Sequence, residues 1–222
     1  MFAGHLGVGL ALKKADKRIN LGWLFFASLL PDFILGILVL TGIEKIIIPP
    51  NYDHLHYVRF DFPFSHGLTA IIVWSLLVFG LAKLMWPKDS KGNTKPAMIL
   101  AAAVFLHFLA DLVVHIAEIP VLGRDSYKIG LGLWNHLTFG LLLEVGLAVA
   151  GIIIYLKCTK GSGFLANYGI LLSMILLTTF TVVGMTMAPA PPNTTGPALT
   201  FIIQPIIISA LAFWLDRKRK NS

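Results

Sequence analysis

The sequence predicts an all-α protein, a polytopic membrane bundle of about six spanning helices with a short N-terminal half-helix, and three observations carry that reading. Of the 222 residues, 56% are hydrophobic and 13% charged, with a mean hydropathy of +0.79, whereas a soluble domain is about 45–50% apolar. Six apolar runs reach the ~20 residues needed to cross a hydrocarbon core. All but four of the 18 Lys and Arg (Lys45, Arg59, Arg124 and Lys128) fall on one side when the loops alternate, a positive-inside signal that holds only for an even number of full spans.

The first apolar stretch, residues 1–12, rises only about 18 Å and is too short to cross. It lacks a basic n-region and a small-residue cleavage pattern before Lys13, so it reads as a retained half-helix or re-entrant piece and not as a signal peptide. Full spans follow at residues 21–43, 64–86, 97–118, 131–156, 164–187 and 199–215. The basic segment 13–18 and the C-terminal tail are then cytoplasmic, with Lys88 and Lys91 on the same side, as expected of a bacterial inner (plasma) membrane protein. The polar, aromatic loop 49–63 faces outward, where such loops form lids. Ionisable residues inside the spans stop before residue 157, which divides the chain into a membrane-embedded metal-site domain, 1–156, and two packing helices with a basic tail, 157–222.

The net charge of +7 sits in short loops, where it orients helices, so no nucleic-acid partner is expected; the bilayer itself is the partner. Cys158 is the single cysteine, which excludes a disulfide framework and a Cys-based metal motif. The chain has no HExxH, no Gly-x-Ser-x-Gly elbow and no Walker A loop, which argues against zincin protease, serine hydrolase and P-loop chemistry.

Carboxylates and imidazoles inside spans are expensive and persist where they line an interior or carry function. Here they are His5, Asp32, His66, His107, Asp111, His115, Glu118, His136 and Glu144. His107, Asp111, His115 and Glu118 fall on about an 80° arc if the helix runs through all four, a stripe able to offer imidazole nitrogen and carboxylate oxygen to a divalent ion. At about 1.5 Å per residue, His5, Asp32, His107 and Glu144 reach nearly one depth, and Asp111, His115, His136 and His66 lie further out. Pro31 kinks its span beside Asp32 and frees backbone carbonyls, which favours a lined cavity. Glu118, before Pro120, is expected to be solvated. His54 and His56 read as surface loop residues, and Trp23 and Trp134 as interfacial belts.

Gly4-His5, Leu30-Pro31-Asp32, Ser65-His66-Gly67 and His107-x-x-x-Asp111 together resemble the YdjM-type inner-membrane family, described as metal-dependent hydrolases and in part named as LexA-binding. The ligand order is also similar to that of zinc-dependent phospholipase C and P1-type nucleases. That resemblance implies one zinc on Asp32, His66, His107 and Asp111, a second on His5 and Asp111, and a third on His115, His136 and Glu144. Phe33 and Ile34 stand where YdjM-type proteins often carry a second aspartate, and the interval from His136 to Glu144 is longer than in the phospholipases.

The function expected is metal-dependent hydrolysis of a phosphoester in a lipid or lipid-linked substrate, with one to three divalent ions, zinc foremost. Asp32 serves as ligand or general base and Asp111 as bridge, and Arg59 or Arg124 contacts phosphate. A proton or metal-ion transporter is the rival built on the same residues, and a non-enzymatic membrane regulator or scaffold is the other alternative.

Overall fold

The computed structural model describes residues 1–85 and 92–221; Trp86, Lys88 and Lys91 lie outside them. The fold is an all-α bundle of α1 (Phe2–Leu12), α2 (Leu21–Ser28), α3 (Leu30–Leu40), α4 (Tyr52–Leu55), α5 (Leu68–Met85), α6 (Thr94–Val114), α7 (Leu137–Cys158), α8 (Phe164–Met187) and α9 (Thr195–Asp216). Five helices among the described residues are long and apolar enough to cross a membrane, and α2 with α3 makes a sixth span bent by 48°. The chain is a multi-pass membrane protein.

The bend sits where the sequence places Pro31. Asn20 caps α2 by accepting from the Gly22 amide, the helix stops at Leu29, and Pro31 occupies the first turn of α3, where its missing N–H costs nothing. The predicted span is thus two helices, which turns the first-turn residue Asp32 toward the bundle interior.

The half-helix α1 is the centre of the bundle. Ala3, Gly4, His5, Leu6, Gly7, Gly9 and Leu10 are all buried, packed against α7, α2 and α6. Association inside a bilayer depends on close van der Waals packing of small residues, and α1 meets α7 in that way. A Cβ on Gly7 would lie 2.3 Å from the Leu147 carbonyl oxygen, and one on Gly151 would lie 2.1 Å from that of Gly7. Toward the Lys13 end the interior is closed by Leu6, Leu10, Leu21, Leu24, Leu100, Ala103 and Val104.

Three short antiparallel ribbons finish the ends. The loop read as a polar lid folds as β1 (Lys45–Ile47) paired with β2 (Arg59–Asp61), with α4 between them. Next to it β3 (Ile119–Pro120) pairs with β4 (Lys128–Ile129). At the opposite end β5 (Thr159–Gly161) pairs with β6 (Arg219–Asn221), tying the tail to the end of α7. The third predicted span begins and ends earlier than expected. Helix α6 ends at Val114, where His115 turns extended as its C-cap, and the segment after β4 supplies donors to its last carbonyls: the amides of Leu131 and Gly132 bond the carbonyls of Leu112 and His115.

Candidate metal centre

Four imidazoles, from α1, α6, its C-cap and the turn before α5, converge on Asp111, and Asp32 of α3 joins them through His66. Its Oδ1 lies 3.1 Å from His5 Nε2 and 3.1 Å from the Met1 nitrogen. Its Oδ2 lies 3.1 Å from His107 Nε2, 3.6 Å from His66 Nε2 and 3.8 Å from His115 Nε2. His66 Nε2 is also 3.5 Å from Asp32 Oδ1 and 3.1 Å from His107 Nε2. Two triads, His5–Asp32–His107 and His66–His107–Asp111, bring one donor atom from each residue within 4.8 Å of the others. For ligand bonds of about 2.0–2.2 Å, the edge of a tetrahedral site is about 3.3–3.6 Å, the scale of these separations.

The protons of the imidazoles follow from their outer partners. His107 Nδ1 lies 2.7 Å from the Ser28 carbonyl, which can only accept, so Nδ1 carries the hydrogen. Ser65 Oγ gives its one hydrogen to Glu44 Oε2 at 2.6 Å and therefore accepts from His66 Nδ1 at 2.8 Å. His115 Nδ1 donates to Glu118 Oε1 at 2.7 Å. In neutral form all three rings turn a bare Nε2 lone pair toward Asp111, as metal-bound histidines do when a carboxylate or carbonyl fixes the other nitrogen. His5 stacks on His107 with ring centroids 3.7 Å apart; its Nδ1 and Nε2 are buried without a hydrogen bond, since the 3.1 Å approach to Asp111 is poorly angled.

The cluster opens into a cavity of about 330 Å³, within the range of small-molecule sites. Asp32, His66, Asp111 and His115 form its floor, and Tyr52, His56, Tyr57 and Phe60 its wall beneath the ribbon. Burial pushes the Tyr57 phenol above its usual range, which keeps it a neutral donor, 3.2 Å from Asn135 Oδ1.

Two expected ligands lie elsewhere. His136 ends a 3-10 turn, Leu133–His136, and is exposed beside Phe139, so His115, His136 and Glu144 do not gather around a third site. Glu144 is buried on α7, but its Oε1 accepts from the Ala3 amide at 2.7 Å, placing a carboxylate at the positive end of α1; its Oε2 has no partner.

Other expectations are corrected as well. Glu118 is buried, not solvated, because the chain turns at Pro120 and its Oε2 meets the Phe60 amide at 3.1 Å. Trp134 is buried against His115, with centroids 4.3 Å apart, and not in a belt. His56 lines the cavity at a left-handed φ of 54°. Arg124 is paired with Asp61 and bonds the Ile43 carbonyl. Neither Arg124 nor Arg59 lines the cavity.

Glu44 and the Ser28 carbonyl carry no marking in the sequence as parts of a site, and Ser65 is marked only as the neighbour of His66 in Ser65-His66-Gly67. No protein-family model, curated protein or solved structure matches the chain.

Proposed function

We propose that the protein is a metal-dependent hydrolase of phosphoester bonds, with Asp32, His66, His107 and Asp111 holding a divalent ion, zinc by donor chemistry, and His5 and His115 flanking it. The observation that carries the reading is the set of three Nε2 lone pairs aimed at one carboxylate oxygen, each ring fixed by an outer acceptor. Acceptors facing acceptors in a buried site call for a cation. A bound ion of this class acidifies a coordinated water and draws charge from a phosphoryl oxygen. Asp111 presents one oxygen to His5 and the other to the three remaining imidazoles, which suits a bridging role if a second ion binds. Asp32 keeps part of its carboxyl open to the cavity and is the residue able to take a proton there. The ribbon β1–β2 and Tyr57 shield the cavity from bulk water.

A proton or metal-ion transporter would use the same donors, but it needs a polar path to both ends. The buried Leu6, Leu10, Leu24, Leu100 and Val104 block the way toward Lys13, which favours a site served from one end. With the basic loops cytoplasmic, that open end is the outer one of a bacterial inner membrane.

The test is metal analysis of detergent-purified protein beside Asp111→Ala, with circular dichroism to establish that the variant is folded, followed by a screen of phosphomonoesters and phosphodiesters. The expected result is stoichiometric zinc in the parent, its loss in the variant, and hydrolysis that follows the metal. Equal metal in both proteins would overturn the assignment.

A further inference from the structure

The cavity borders an apolar groove between α8 and α9 of about 470 Å³. Phe180, Thr200 and Gln204 line both spaces, so the groove leads from the outer, lipid-facing surface of two spans to the floor that carries Asp32 and Asp111. Its other walls include Leu176, Ile203 and Ile207, all exposed and hence facing acyl chains in a bilayer. From Leu199 to Ile208 the groove follows α9 for about 14 Å of helix rise, which is half of a ~30 Å hydrocarbon core and so the depth of a single leaflet.

The junction is polar. Gln204 sits where the two spaces meet, and its amide has no hydrogen-bond partner among the described residues. The next residue, Pro205, lies inside α9 and has no N–H to give the Phe201 carbonyl. A free amide and a carbonyl deprived of its helical donor therefore stand between an apolar slot and the His/Asp floor. Polar groups inside a span persist where they meet a polar ligand or another polar group.

We propose that the substrate is a glycerophospholipid that enters sideways from the membrane between α8 and α9, with one acyl chain in the groove, its glycerol esters against Gln204 and its phosphate over the cluster. This rests on the hydrolase reading for the fate of the phosphate, but not for the lipid site itself. It also gives α8 and α9, which the sequence presents as packing helices, a part in selecting the substrate.

The molecule contains its own control. A second apolar groove of about 470 Å³ lies between α2 and α5, lined by Trp23, Leu81 and Met85 among others, and shares no lining residue with the cavity. The experiment places the full chain in nanodiscs of phosphatidylglycerol and phosphatidylethanolamine doped with phosphatidic acid bearing a diazirine on one acyl chain. Crosslinked peptides are mapped by mass spectrometry, and zinc is measured on the same preparation.

Labelling is expected to favour α8 and α9 over the α2–α5 groove and to be competed there alone by unlabelled phosphatidic acid. Ile203→Trp, which crowds the groove with a larger side chain, should lower it on the order of tenfold by overpacking with zinc content unchanged. Equal labelling and equal competition at the two grooves would overturn the proposal whatever the zinc content. Preferential labelling without zinc would uphold the lipid site and defeat the hydrolase.

Discussion

Two buried carboxylates at opposite ends of the bundle make an instructive pair. Asp216 accepts from Lys13 Nζ at 2.7 Å, the Leu21 amide at 3.0 Å and the Tyr155 hydroxyl at 2.7 Å, and Lys13 gives a further hydrogen to the Ile19 carbonyl. Every strong acceptor there meets a donor. Asp111 receives the Met1 nitrogen on Oδ1, but its Oδ2 faces imidazole nitrogens whose hydrogens are committed outward. Burial alone does not mark a functional site. The difference is the balance between donors and acceptors, since a satisfied buried network is a strut and an acceptor-rich one leaves lone pairs facing one another.

The largest effect that can break this comparison comes from the strut. Lys13→Met leaves Asp216 buried without its cation and should destabilise the protein by about 3–5 kcal/mol, read by thermal unfolding in detergent. A chelator should then lower the unfolding free energy of both the parent and this variant by the same increment, about 2.7 kcal/mol if the metal had been held at a hundredfold its Kd. A loss of chelator response in Lys13→Met would show that the two clusters are not independent.

A smaller effect sharpens the contrast from the other side. Ser65→Ala removes the link between Glu44 and His66 while leaving Glu44 its bonds to the Phe64 and Ser65 amides, at 2.7 and 2.9 Å. Zinc affinity, measured by competition with a chromophoric chelator, should fall about 10–100-fold, and metal-free stability should fall by about 1–3 kcal/mol, because Glu44 Oε2 and His66 Nδ1 are left buried without Ser65 Oγ. An unchanged affinity would mean that the orientation of His66 does not matter to the ion. The smallest effect is expected at His136. His136→Ala should leave zinc affinity unaltered and stability within about 0.5 kcal/mol, and a lost equivalent of metal would restore it as a ligand.

The sequence made the membrane bundle legible because apolar length and loop charge are properties of the unfolded chain. His5, Asp32, His66, His107 and Asp111 were legible for a related reason: each interrupts an apolar run, and α6 does place His107 and Asp111 one turn apart. His136 was misplaced by the assumption that the helix of α7 already runs through it. Gly132, at φ 72°, and the 3-10 turn after it come first, so the spacing from His136 to Glu144 does not follow a single helical period. Glu44 falls just past the end of an apolar run, outside the spans, and is buried only because the fold brings the Phe64 and Ser65 amides and the Ser65 hydroxyl onto it. The Ser28 carbonyl has no side-chain signature at all; it becomes available because α2 ends at Leu29.

The contact between Gly7 and Gly151 has a mechanical consequence. A helix of 11 residues is too short to be positioned by matching its ends to the two membrane surfaces, as the longer helices are. Interlocked backbones hold it instead, so the height of His5 is registered to α7 and not to the lipid. Thicker or thinner membranes should tilt α5 and α8 while leaving the separation of His5 from Asp111 as it is.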